Sequence, residues 1–148
     1  MSPFRRILHA SDFSRASSAA FRRAVDLART NRASLTIVHV YLPLIPLVGE
    51  SYALPQAYDM MLADVRAQAQ RQLDRLVVKA KQTGVRAKGH LLEGVAYDRI
   101  ARAARSTRAD LVVLGTHGRT GLGRALLGSV ASRVIALAPC PVLTVRAK

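Results

Sequence analysis

Leu111-Val-Val-Leu-Gly115-Thr-His-Gly118-Arg-Thr-Gly121-Leu-Gly123-Arg-Ala-Leu-Leu-Gly128-Ser129-Val130 runs from an apolar stretch through a glycine-rich segment into helical spacing. Leu111 to Leu114 reads as a fully apolar strand. From Gly128 to Leu137, Val130, Val134 and Leu137 recur at helical period until Pro139 and Pro141 stop the pattern. Five of the nine glycines in the chain fall between Gly115 and Gly128. Glycines between a strand and a helix let the backbone turn tightly and approach a ligand with no Cβ in the way, so that N–H groups can face phosphate oxygens. A helix opening at Gly128-Ser129 adds its own unpaired N–H groups and positive dipole end, and the Ser129 hydroxyl can donate as well. The segment is not a Walker A loop, because no Gly-Lys-Ser/Thr occurs. Nor is it a dinucleotide fingerprint, because the glycines follow the fourth strand and not the first.

Outward from this stretch the same alternation continues. Arg6 to Ala10 is a short apolar run ending in Ser11-Asp12, and from Ser14 the spacing becomes helical, with Phe21, Ala24, Val25 and Ala28 on one face and arginines opposite. Ser34 to Tyr41 is apolar and β-branched, as a buried strand requires. Leu42 to Tyr58, with Pro43, Pro46, Gly49 and Pro55, reads as the longest irregular loop, a lid or a passive connection. Val65, Ala69, Leu73, Leu76, Val77 and Ala80 then predict a long amphipathic helix over about 59–83, closed by a left-handed Gly84. Val85, Ala87, Gly89 and Leu91 alternate as a third strand, Ala96 to Arg105 reads as a helix, and Val142 to Val145 as a fifth strand. Five strands alternating with four helices predict one doubly wound, Rossmann-like α/β domain over residues 1–148, with a five-stranded parallel sheet. In such sheets ligands lie outside the carboxyl ends of the strands where the strand order reverses. That rule directs attention to Ser11-Asp12, His39-Val40 and the segment from Gly115 onward.

Composition bounds the function. With 148 residues, 50% hydrophobic and 22% charged, the chain can build one core. The lone Cys140 cannot form an intramolecular disulfide, no apolar run approaches a membrane span, and the N-terminus lacks a signal-peptide core, so a cytoplasmic protein is expected. Lys and Arg number 23 against 9 acidic residues, a net charge of +14, which would attract nucleic acid, anionic membrane or phosphate ligands. Aromatic residues are only 5%, tryptophan is absent, and the basic residues are spread over all the helices, which argues against nucleic acid. From Leu111 to Lys148 there are five basic residues (Arg119, Arg124, Arg133, Arg146, Lys148) and no Asp or Glu, so the phosphate end is cationic in sequence.

The spacing Gly115-x2-Gly118-x9-Gly128-Ser129 resembles the nucleotide-binding signature of ATP-binding universal stress proteins. Ile7 to Ser14, Ile37 to Tyr41, Ala109 to Gly118 and Ala138 to Arg146 are similar to that family's other characteristic blocks, in order and across essentially the whole chain. The resemblance implies ATP, an adenine nucleotide, lying across the carboxyl edge of the sheet. Asp12, with Ala10 and Ser11, would face adenine and ribose, and Val40 would close the adenine pocket. Leu114, Gly115, His117 and Gly118 would run beside ribose and phosphates, while Gly128, Ser129, Val130 and Ala131 would hold the phosphate tail. Apart from the resemblance, Arg119 and Arg124 are cations that could neutralise phosphate charge, and Mg2+ is a candidate companion of the ATP. The resemblance also implies a stress-response switch and a homodimer formed through the strand Val142–Val145. Two residues depart from the family pattern: Ala10 stands where proline is common, which loosens the pocket edge, and His9 replaces an aliphatic residue.

Catalysis has little support in these residues. Phosphoryl transfer needs carboxylates to hold Mg2+, and Asp12 is the one carboxylate that the pattern brings to the strand ends. The expected activity is binding, with a slow ATPase as the catalytic alternative and a non-nucleotide-binding stress protein or polyanion binder as the other. His9, His39 and His117 all fall near strand ends, but no ligand spacing joins them into a metal site, so no metal is expected. Cys140 reads as a small buried residue.

Overall fold

The computed structural model describes residues 4–43, 55–117 and 126–147. Nine elements alternate along them: β1 Arg6–Ala10, α1 Arg15–Asn31, β2 Ser34–Tyr41, α2 Pro55–Gln82, β3 Arg86–Glu93, α3 Ala96–Ser106, β4 Leu111–Gly115, α4 Ser129–Leu137 and β5 Val142–Val145. The strands form one parallel sheet in the order β3-β2-β1-β4-β5, the doubly wound α/β arrangement that the alternation predicts. The chain winds outward from β1 to β3 and then back past β1 to β4 and β5. The order therefore reverses between β1 and β4, where Ile7, Leu8 and His9 stand opposite Leu111, Val112 and Val113.

Strand residues point alternately to opposite faces, and this period divides the core in two. Ile7, Leu35, Ile37 and Val113 pack with Phe21, Ala24 and Val25 of α1 and Leu73 of α2. Leu8, Val38, Val112 and Leu114 pack with Ile100 and Ala104 of α3 and Val134 of α4. Both faces of the central strands are thus buried, which explains why β1, β2 and β4 read as continuous apolar runs. Ser14 caps α1 by accepting the Ser17 N–H at 3.2 Å, and Gly84 closes α2 at φ +89, where any Cβ would be strained.

The helix α2 begins at Pro55 and not near Asp59, so residues 55–58 of the stretch read as loop belong to its first turn. Proline suits the first helical position, where its fixed φ is helical and its missing N–H would have had no partner. Residues 44–54 lie outside the described set. The helical spacing of α2 is real, but the core reaches only its later half. Ala69, Leu73 and Ala80 are buried, whereas Val65 is 47% exposed.

Candidate functional site

A cleft of about 290 Å3 opens at the carboxyl edge of the sheet, at the point where the strand order reverses. Ala10, Ser11 and Asp12 reach it from the end of β1, Val40 from β2, and Leu114, Gly115 and His117 from β4 and the turn beyond it. Gly128, Ser129, Val130 and Ala131 enter from the start of α4. Eleven of the thirteen residues singled out from the sequence therefore meet around one hollow, while Gly118 and Arg119 lie outside the described residues. Five lining residues escaped the sequence reading: Ser17, Val38, Ala96, Ile100 and Thr116. Val38 could have been found from Val40, because residues two apart share a strand face. Ala96 and Ile100, four apart on α3, similarly present one helix face.

The lining separates into three kinds of surface. Val38, Val40, Ile100 and Leu114 make an apolar wall, continuous with the α3/α4 side of the core. Ser11, Asp12 and Ser17 make a polar corner, in which Asp12 Oδ1 accepts from the Ser17 hydroxyl at 2.5 Å and the Ser14 N–H at 2.9 Å. The third is the start of α4, where the first i→i−4 bond runs from Ser132 N to Gly128 O, so the amides of Ser129, Val130 and Ala131 precede the helical ladder. An apolar slot, a carboxylate corner and a helix N-terminus can receive, in turn, a flat ring, hydroxyl groups and an anion.

Close backbone packing holds the α4 end in place. The Gly128 N–H donates to Thr116 O at 2.7 Å, and a Cβ on Gly128 would come within 2.9 Å of that same oxygen. Gly115 is equally tight, since a Cβ there would meet the backbone of Ala16 at 3.1 Å. His117 Nε2–H donates to Leu126 O, which leaves Nδ1 to accept from Thr116 Oγ1 at 3.0 Å. The imidazole thus ties the two described ends of the glycine-rich segment together, as well as lining the cleft.

The other two histidines near the strand ends lie behind the sheet, on the α1/α2 side. His9 is fully buried against Phe21, with ring centroids 5.8 Å apart, and its Nδ1–H donates to Val113 O at 3.0 Å, so β1 is joined to β4 at the reversal point. Its Nε2 has no hydrogen-bond partner, and burial lowers its pKa from 6.5 to about 4, the Val113 bond and the Asp12 charge opposing that shift. His39 donates Nδ1–H to Ser11 O at 2.7 Å and stacks on Phe13. Among the described residues no three His, Cys, Asp or Glu side chains gather where they could hold a metal ion. Cys140 is half-buried, and burial pushes its thiol up, with Asp110 adding to the effect, so the thiolate is disfavoured.

The cationic end foreseen in sequence is only partly gathered here. Arg133 lies over the Tyr97 ring, 4.7 Å from its centroid, between α4 and α3. Arg146 lines a separate hollow with Arg15, Arg22, Arg23 and Asp26. Among the described lining residues the cleft has one carboxylate, Asp12, and no Lys or Arg. Among the described residues no helix is long and apolar enough to cross a membrane.

Fold and cleft define a doubly wound α/β protein with a ligand-sized hollow at its topological switch point. The chain belongs to the universal stress protein family, whose model matches residues 3–146. Universal stress protein MJ0531 of Methanocaldococcus jannaschii is 35% identical over 145 residues, covering 97% of this chain and 82% of that protein. The structure of universal stress protein UspA from Lactobacillus plantarum matches with a TM-score of 0.84 at 28% identity, covering 99% of this chain and all of the other, 100%. A universal stress protein from Archaeoglobus fulgidus, solved in complex with dAMP, matches with a TM-score of 0.66 at 24% identity over 97% of this chain and 98% of its own, a likeness of fold.

Proposed function

We propose that the protein binds an adenine nucleotide, ATP, across the carboxyl edge of its sheet and serves as a nucleotide-responsive switch in the stress response. The observation that carries this reading is the meeting of three surfaces in one cleft: apolar wall, Asp12 corner, α4 N-terminus. Adenine would lie against Val38, Val40, Ile100 and Leu114, the ribose hydroxyls would meet Asp12, and the phosphates would approach Gly128 to Ala131. The dAMP complex of the A. fulgidus relative supports an adenine nucleotide as the ligand class. Mg2+ would arrive with the phosphates, since Asp12 is the one carboxylate among the described lining residues and already receives the Ser14 N–H and Ser17 hydroxyl. The same donor set favours retention of the nucleotide over turnover. As an edge strand, β5 can pair Val142–Val145 with a second copy, giving a homodimer. Calorimetry with Mg-ATP, together with mass spectrometry of small molecules released from the purified protein, tests the reading. Absence of both binding and a copurified nucleotide would defeat it.

A second reading, binding of a polyanion, draws on the hollow where Arg15, Arg22, Arg23 and Arg146 outnumber the one carboxylate, Asp26. It requires a salt-sensitive gel shift with DNA or RNA that charge reversal at Arg22 and Arg146 abolishes.

A further inference from the structure

Asp12 is held in place by its neighbours on both sides, and both depend on one imidazole. Phe13 has φ +63, a left-handed conformation that a bulky side chain adopts only where its surroundings impose it. Its ring stacks on His39 with centroids 4.2 Å apart and planes 28° from parallel. On the other side of Asp12, the carbonyl of Ser11 accepts the His39 Nδ1–H at 2.7 Å, and because a carbonyl only accepts, Nδ1 carries the proton. The Ser11 hydroxyl accepts the Phe13 N–H at 3.1 Å, and the Ser11 N–H donates to Val38 O at 2.9 Å. His39 therefore fixes the residue before Asp12 by a hydrogen bond and the residue after it by stacking.

The position of His39 in the sheet explains why it touches no part of the cleft. Alternation along β2 sends Val38 and Val40 to the cleft side and the buried His39 to the α1/α2 side. Its hydrogen bond to Ser11 and its stacking on Phe13 both act on the β1–α1 turn. That turn sets how Asp12 meets the start of α1, where the Ser14 N–H and the Ser17 hydroxyl hold the carboxylate.

We infer that His39, acting through Ser11 and Phe13, is a positioning residue that sets how strongly the cleft distinguishes a ribose from a sugar lacking its hydroxyls. This rests on the reading of Asp12 as the ribose-facing group. Loosening the turn would let Asp12 leave its place while the apolar wall and the α4 amides remain. Discrimination at the sugar would then fall, and affinity for base and phosphates would not.

The test measures affinity of the full chain for ATP and for 2′,3′-dideoxy-ATP, which has the same base and phosphates. Hydrogen bonds to a carboxylate predict that the wild type prefers ATP by about tenfold or more. His39→Phe, which keeps a ring to stack on Phe13 but has no donor, should bring that ratio below about threefold, with the dideoxy affinity changed by less than about twofold. His39→Asn, whose amide N–H can replace Nδ1–H, should restore at least part of the ratio. Phe13→Gly removes the stacking without backbone strain and should also lower the ratio, so the idea remains testable if His39→Phe unfolds. Equal weakening of both ligands in the His39 and Phe13 variants would mark a merely structural role and overturn the inference. A wild-type ratio of one would overturn it while leaving nucleotide binding intact. Absence of wild-type binding to either ligand would instead remove the nucleotide reading, and this inference with it.

Discussion

His9 makes stability depend on pH in a way that one substitution can isolate. In the folded chain burial lowers its pKa to about 4, against 6.5 ordinarily, because the proton would place a charge in the apolar layer beside Phe21. Between these values the unfolded chain binds the proton and the folded chain does not. The stabilisation is present in full above 6.5 and is lost as the pH falls toward about 4. The whole interval is worth roughly 3 kcal/mol, and the portion between about pH 7 and pH 5 comes to about 2 kcal/mol. Against a total stability of about 5–15 kcal/mol this is a large fraction. Urea unfolding followed by far-UV circular dichroism, at about pH 7 and pH 5, gives the loss for the wild type and for His9→Leu. Other titrating groups contribute to both proteins, so the difference between the two losses isolates His9 and should be about 2 kcal/mol. Equal losses in the two proteins, to within about 0.5 kcal/mol, would refute the reasoning, because His9 would then take up its proton without disturbing the fold.

Gly128→Ala tests the packing at the α4 end. The backbone there, φ −60 and ψ 154, accepts alanine, so the cost comes from a Cβ within 2.9 Å of Thr116 O. A loss of about 1–3 kcal/mol in stability is expected. ATP affinity measured by calorimetry should fall about tenfold, since the amides proposed to face the phosphates would be displaced; an unchanged affinity would count against the phosphate position. Leu73→Ala, at a fully buried site on the α1/α2 side, should cost about 2–5 kcal/mol in urea unfolding. It should leave nucleotide affinity within about twofold, because the cleft belongs to the opposite face; a large change in affinity would show that the two layers are coupled.

Much of this architecture was legible residue by residue. The apolar runs at Arg6–Ala10, Ser34–Tyr41 and Val142–Val145 coincide with β1, β2 and β5. Burial on both faces leaves the uninterrupted apolar signature of β1 and β2, while the edge strand β5 is half-buried throughout. The start of α2 was missed because Pro55 signals a loop or a first helical turn equally well, and only packing after it separates the two. Val65 shows the converse fault: its spacing is helical, yet it is 47% exposed, because helical period marks a face without fixing what packs against it.

Local chemistry alone determined the alternation of strands and helices, the capping at Ser14 and Gly84, and the presence of glycines where a strand must turn into a helix. These depend on period, side-chain volume and backbone freedom, which each short segment carries within itself. The strand order, and with it the meeting of β1, β4 and α4 around one cleft, was decided only when residues about a hundred positions apart paired, as Ile7 does with Leu111. The roles of His9 and His39 were settled at the same level. The sequence places them at strand ends like candidate ligands, but the pleat turns both behind the cleft, where one joins β1 to β4 and the other holds Ser11 and Phe13.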